Sequence, residues 1–216
     1  MLPLGVVIVL LLAILVLFNF GNGIIYTLAL SKWKAIIFLL SFAVFYIIPP
    51  MYIEGVDFYI VPFFAFTGYL AYLLFRLAFP LKSVFTGIIS AFIIYMLSKT
   101  VLPQPVGLIY EPFIVYALAL TVICVLLCYG KRAIVFNSGF AVLLFNTFSV
   151  IKGEYNMLFS ADAFGCICLS AVLSYYPVSI MAQSRIAGFK RSRVFQTEAS
   201  ESLLITKNKI KKQKKK

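Results

Sequence analysis

The chain has 216 residues, of which 63% are hydrophobic and 12% are charged, and its mean hydropathy is +1.04. A water-soluble domain is about half apolar and roughly a quarter charged, so this composition excludes a soluble globular protein, a disordered chain and a disulfide scaffold. The sequence has 19 basic residues, seven acidic residues and no histidine, which excludes His-based acid–base catalysis and His-ligated metal sites. The composition predicts an all-α fold, a polytopic bundle of transmembrane helices.

Seven apolar runs follow one another along the chain, and a helix needs about 20 mostly apolar residues to cross a membrane. The first run has no basic residue before it and no cleavage site after it, which predicts a retained helix and not a signal peptide. We therefore expect a bundle of about seven spans over residues 1–182 and a basic tail over residues 183–216. The runs are Leu4–Phe20, Ala35–Tyr52, Phe58–Leu77, Ser83–Leu102, Phe113–Tyr129, Ala133–Ile151 and Ala161–Met181.

Basic residues are distributed unequally between the connections that separate these runs. Numbered in chain order, the odd connections and the tail hold 17 of the 19 basic residues, and the even connections hold only Lys99 and Lys152. Since cytoplasmic loops carry an excess of Lys and Arg, this asymmetry predicts an outside N-terminus and a cytoplasmic tail. Most acidic residues show the opposite bias and fall on or near the outer face: Glu54, Asp57, Glu111, Glu154 and Asp162.

Asp162 is the most informative single residue, because an ionisable group at the end of a span needs a cavity or a partner. One interpretation makes it a cation site, a proton site or a substrate contact. The other makes it the N-cap of the last helix, a role that Ser160 could share. No second carboxylate lies inside any run, which argues against an intramembrane aspartyl protease and predicts that the protein is not an enzyme.

Two further polar residues, Asn146 and Arg76, are candidates for function. Arg76 either extends its charge to the membrane interface or forms a buried ion pair. Asn137 and Asn146 are nine residues apart, which points them to opposite faces of one helix, so we expect interhelical hydrogen bonds. The spacing of Ala161 and Gly165 permits close helix packing, either inside the bundle or between protomers.

The sequence predicts no cofactor and no metal site, since it has no Gly-rich phosphate loop, no GxSxG motif and no cluster of metal-ligating residues. The cysteines form no CxxC pair and all lie in apolar runs, so we expect them to be small packing residues. They are Cys124, Cys128, Cys166 and Cys168.

The tail begins with basic residues interleaved with apolar ones, namely Arg185, Lys190, Arg191 and Arg193. This pattern predicts a short helix on the surface of an anionic membrane, and the alternative interpretation is a topology anchor. Residues 197–216 are polar and are predicted to be disordered. Because the basic excess belongs to the tail, we expect no nucleic-acid partner.

Three short motifs resemble a prokaryotic family of uncharacterised multi-pass membrane proteins, a domain of unknown function. They are Leu2-Pro3-Leu4-Gly5, Tyr110-Glu111-Pro112 and Asp162-Ala163-Phe164-Gly165. The resemblance covers about residues 1–180 and implies a prokaryotic plasma membrane but no particular activity. Similar proteins often carry another acidic residue late in the sixth run, where this chain has Phe145-Asn146-Thr147.

Three functions remain open at this point: a non-enzymatic accessory or structural component, a small transporter using Asp162 and outer polar groups, and an enzyme acting on lipid. The few polar groups inside the runs favour the first, since carriers need inward polar residues or broken helices. A water-filled cavity lined by Asp162, Asn146 or Arg76 would favour transport. The expected partners are membrane lipids, with anionic lipid at the tail, and another membrane protein or a second copy of the chain.

Overall fold

A computed structural model describes residues 3–20, 25, 27–53, 55–77, 79–100, 112–128, 130–153 and 157–181. These residues are mostly helical, which confirms the helical class, and each of the seven apolar runs overlaps one helix of at least 14 residues. The helices are α1 (Leu4–Leu17), α2 (Lys32–Phe45), α3 (Ile60–Leu74), α4 (Pro80–Thr100), α5 (Pro112–Leu127), α6 (Lys131–Ile151) and α7 (Ala161–Met181).

Three of these helices, α4, α6 and α7, are long and apolar enough to cross a membrane, with 21 residues each. At about 1.5 Å per residue, such a helix spans the roughly 30 Å hydrocarbon core of a bilayer. The other four helices have 14 to 16 residues and are shorter than the apolar runs that they overlap. The structure therefore gives three candidate spans by length and composition.

Local backbone chemistry explains why two of the shorter helices end early. Asn19 adopts a left-handed conformation with φ 65°, and the N–H of Phe20 donates to the carbonyl of Leu15 at 2.9 Å. This pairing closes α1 in a Schellman motif, in which Asn replaces the usual glycine. The end of α2 precedes Pro49 and Pro50, which cannot donate the backbone hydrogen bonds that a continued helix needs.

A small sheet, which the sequence analysis did not predict, joins two connections. Strands β1 (Met51–Ile53) and β2 (Val56–Phe58) form an antiparallel hairpin, and β3 (Met157–Leu158) pairs with β2 in parallel. Met51, Tyr52 and Phe58 therefore lie in strands, which corrects their predicted place in apolar runs. The sheet places the α2–α3 connection beside the α6–α7 connection, at the same end of the helices.

Helix α6 is the most enclosed helix of the described bundle and packs against α3, α4 and α5. Its Asn137 and Asn146 are both buried although they point to opposite faces, because neighbours cover the helix on several sides. A cluster of buried phenylalanines fills the space between α2, α3 and α7. The ring of Phe42 stacks on that of Phe164 with centroids 4.2 Å apart, and Phe66 stacks on Phe159 at 5.2 Å.

The chain divides into two units, Met1–Val178 and Ser179–Lys216. Of the second unit, the structure describes only residues 179–181, the last residues of α7. The predicted boundary after residue 182 and the predicted lipid contacts Arg185, Lys190, Arg191 and Arg193 lie outside the described residues and stay predictions.

Candidate functional site

Asp162 forms a hydrogen bond with the opposite end of the sequence. Its Oδ1 accepts a hydrogen bond from the backbone N–H of Gly5, with an N···O distance of 2.9 Å. Gly5 lies in the first turn of α1, and the residue before that helix, Pro3, contributes no side-chain cap. The carboxylate therefore satisfies an N–H group that α1 leaves unpaired, and its charge suits the positive end of the helix dipole.

Ser160, and not Asp162, caps the helix to which both were assigned. The backbone N–H of Ala163 donates to Ser160 Oγ at 3.3 Å, which is the geometry of an N-cap for α7. The cap interpretation placed Asp162 at the start of α7, whereas the structure places its carboxylate against the first turn of α1. Asp162 caps α1 from a neighbouring helix, and this arrangement holds the N-termini of α1 and α7 together.

Glycines make this close approach possible. A Cβ atom on Gly5 would overlap the carbonyl group of Ala161 and lie 2.7 Å from the backbone nitrogen of Asp162. A Cβ atom on Gly165 would lie 2.7 Å from the Cα of Gly5. The small residues Ala161 and Gly165 thus serve packing inside the bundle, which is one of the two alternatives predicted from their spacing.

The chain leading into α7 is held by a second polar contact. Phe159 is buried and has φ 57°, a conformation that is unusual for an aromatic residue. Its carbonyl oxygen accepts a hydrogen bond from the hydroxyl of Tyr46 at 3.2 Å. This contact fixes the backbone next to Ser160 and Asp162, so the position of both caps depends on α2 as well as on α7.

Of the remaining outer acidic residues, the structure describes only one. Asp57 lies in β2, while Glu54, Glu111 and Glu154 lie outside the described residues. Within the part of the chain that the structure describes, no group of three or more His, Cys, Asp or Glu side chains could hold a metal ion.

Asn137, a buried polar residue of α6, contacts a core residue outside its own helix. Asn137 Nδ2 donates to the sulfur of Cys128 at 2.9 Å, which links α6 to the end of α5. The four cysteines are buried and free. Asn146 is also buried, with 8% of its surface exposed.

A cavity of about 580 Å³ lies among the end of α3 and the starts of α4 and α6. Three basic residues line it, and of these the sequence analysis singled out only Arg76. The sequence analysis did not predict Lys131 and Arg132 as site residues. Like Arg76, they lie in odd connections, and this shared location is the signal that could have grouped the three residues. The lining also includes Ser83 and Gly130 and apolar residues from the α1–α2 connection.

Two of these basic groups also contact aromatic residues. The guanidinium of Arg76, which is exposed, lies 5.3 Å from the centroid of the Tyr72 ring, a cation–π distance. Lys131 Nζ lies 3.3 Å from the hydroxyl of Tyr175 on α7.

A second cavity, near the centre of the bundle, measures only about 10 Å³ and has an apolar surface. It lies between Phe66, Phe164 and their neighbours and is at most large enough for one water molecule. Neither cavity is lined by Asp162 or Asn146, so the structure does not bring these two predicted residues together with Arg76 in one site.

No protein-family model, no curated protein and no solved structure matches this chain. The resemblance to a prokaryotic membrane family therefore stays a prediction. Gly5 and Asp162, from two of its three motifs, are in contact, whereas Tyr110 and Glu111 lie outside the described residues.

Proposed function

We propose that the chain is a multi-pass protein of a prokaryotic plasma membrane that acts as a non-enzymatic accessory or structural component. The hydrogen bond between Gly5 and Asp162 carries this proposal. Asp162 is the strongest candidate for a functional carboxylate in the sequence. This bond gives it a structural role, because it stabilises the junction of α1 and α7.

The packing of the interior supports the same function. A carrier needs inward polar groups and a route between the two faces. Here the space between α2, α3 and α7 is filled by Phe42, Phe66 and Phe164, and the cavity beside them is close to the size of one water molecule.

The arrangement of the connections supports a topology of seven spans with the N-terminus outside. The sheet joins the second and sixth connections, whereas the large cavity is lined by residues of the first, third and fifth. Alternating spans would produce this separation, with the basic odd connections in the cytoplasm. Shorter helices such as α1 and α2 can be accommodated by local thinning of the bilayer.

Reconstitution of the full chain tests this proposal. The purified protein in liposomes should give no H⁺, Na⁺ or K⁺ flux above protein-free liposomes. In native membranes, a tagged chain cross-linked before extraction should retain one membrane protein, or a second copy of itself, at fixed stoichiometry. A flux that is abolished by Asp162→Asn, or a chain that is recovered only as a monomer without partners, would contradict the accessory role.

A small transporter that uses Asp162 and outer polar groups is the second candidate. The cavity lined by Arg76 favours it, because charged residues in transmembrane proteins often line the pathway of a substrate. In that case the flux assay would respond to Arg76→Gln as well as to Asp162→Asn.

A further inference from the structure

We propose that the cavity lined by Arg76, Lys131 and Arg132 binds the phosphate group of an anionic glycerophospholipid. None of the described lining residues belongs to the basic tail, and the proposal rests on the membrane embedding proposed above. Charge, helix ends and apolar lining each point to this ligand.

The charge of the cavity is of one sign. Arg76, Lys131 and Arg132 are its charged lining residues, and no carboxylate is among the described residues that line it. Lys131 already contacts Tyr175, so the argument depends on the two arginines, both of which are exposed. A guanidinium group donates paired hydrogen bonds to phosphate oxygens, which makes arginine well suited to this ligand.

Helix ends add to the positive potential. The first residues of α6, from Lys131, line the cavity, and the N-cap residue Gly130 has no side chain with which to cap them. Ser83, in the first turn of α4, lines the same space. Both helices have 21 residues, and the N-terminus of a long helix attracts anions through its dipole and its unpaired N–H groups.

The rest of the lining is apolar, which distinguishes a lipid from a free phosphate ion. Ile25, Leu30, Leu77 and Phe79 contribute this surface. A volume of about 580 Å³ exceeds what a phosphate ion fills and falls within the range of about 300–1,000 Å³ that is typical of sites for small organic ligands. The glycerol backbone and the first acyl carbons would cover the apolar surface.

Lipid titration of the purified full-length protein in detergent tests the proposal. Phosphatidylglycerol, phosphatidylcholine and glycerol 3-phosphate would be added separately, with bound lipid counted by native mass spectrometry and Tm measured in parallel. The two test variants are Arg76→Gln/Arg132→Gln and the conservative Arg76→Lys/Arg132→Lys. The matched control, Lys32→Gln/Lys34→Gln, removes two charges from the first connection, outside the cavity lining. The tail is present in every variant, so its own lipid binding cancels.

We expect phosphatidylglycerol to bind more tightly than phosphatidylcholine and to raise Tm. Arg76→Gln/Arg132→Gln should weaken phosphatidylglycerol binding about tenfold or more, because hydrogen bonds to a charged phosphate are lost. The control should keep the preference, and the lysine variant should keep part of it, because lysine retains the charge but not the paired hydrogen bonds. Equal binding of both lipids, an equal loss in the control, or equally tight binding of glycerol 3-phosphate would overturn the proposal.

The membrane embedding itself is checked by alkaline carbonate extraction. A chain that stays in the membrane pellet but shows no lipid preference contradicts only the lipid site. A chain released by carbonate contradicts the proposed function as well.

Discussion

The carboxylate of Asp162 accepts a hydrogen bond from the backbone N–H of Gly5, 157 residues earlier in the chain. One side chain thereby ties the first helix of the bundle to the last. Because the acceptor caps α1 and Ser160 caps α7, the two helix starts are stabilised by different residues that lie close together. A substitution of Ser160 therefore removes only the cap of α7. A substitution of Asp162 removes the cap of α1 and, with it, the contact between the two helices.

Asp162→Ala should lower the free energy of unfolding by about 0.5–2 kcal/mol, because it removes the acceptor that caps α1. Asp162→Asn keeps an oxygen acceptor and should cost less, about 0.3–1 kcal/mol, through the lost charge at the helix end. Thermal unfolding of the purified protein in detergent measures both. Ser160→Ala is the matched control, because it removes the cap of α7 and leaves the hydrogen bond between Asp162 and Gly5 in place. Equal destabilisation by Asn and Ala would show that the charge, and not the cap, is what matters at this position.

Gly5→Ala should destabilise the protein by about 1–3 kcal/mol, the usual cost of forcing extra atoms into a tightly packed contact. The added methyl group would meet the backbone of Ala161 and Asp162, which cannot move as a flexible side chain does. Gly68 provides the control, since it lies in α3 and a Cβ there meets nothing within 4 Å. Gly68→Ala should be neutral or stabilising by up to about 1 kcal/mol. Equal Tm values for the two variants would contradict the close contact at Gly5.

The positions of the helices could be predicted from the sequence, because the apolar runs are separated by connections that contain proline, glycine or charged residues. The agreement is closest for α7, where the predicted bounds and the observed ones coincide at Ala161 and Met181. It is poorest for α2, because Met51 and Tyr52 are as apolar as helix residues and continue the run. Three residues are too few to show the alternation that marks a strand, so the sequence alone predicts a span where β1 begins.

The partner of Asp162 could not be predicted, since a hydrogen bond between residues this far apart is decided by tertiary packing. The sequence showed only that the carboxylate needed a partner. The cavity could not be predicted for the same reason, because Arg76 lies in the third connection and Lys131 and Arg132 lie in the fifth. All three residues lie in odd connections, which predicted a common face of the membrane but not a common site.

A disulfide engineered across β2 and β3 should form readily. Asp57 and Met157 are paired residues of the two strands, and neighbouring strands lie about 4.7–4.9 Å apart, within reach of a disulfide. In a background with the four buried cysteines replaced by Ala, Asp57→Cys/Met157→Cys should cross-link on mild oxidation, with the linked peptides identified by mass spectrometry. Tyr52→Cys/Met157→Cys is the control, because β1 lies on the far side of β2. Cross-linking of the control alone would contradict the strand order.

The proposed topology predicts which positions an impermeant thiol reagent reaches in intact cells carrying the same cysteine-free background. Single cysteines replacing Tyr52, Gln104 and Lys152, in the even connections, should be labelled from outside. Those replacing Lys34 and Ser202, in the first connection and the tail, should react only after permeabilisation. This expectation follows from the concentration of 17 of 19 basic residues in the odd connections and the tail. External labelling at Ser202 would contradict the orientation.

The pair Tyr52 and Lys152 adds an independent check, because β2 and β3 join their two connections whatever the orientation. Labelling of these two positions from opposite sides would mean that an odd number of spans separates them. That result would contradict both the seven-span topology and the sheet.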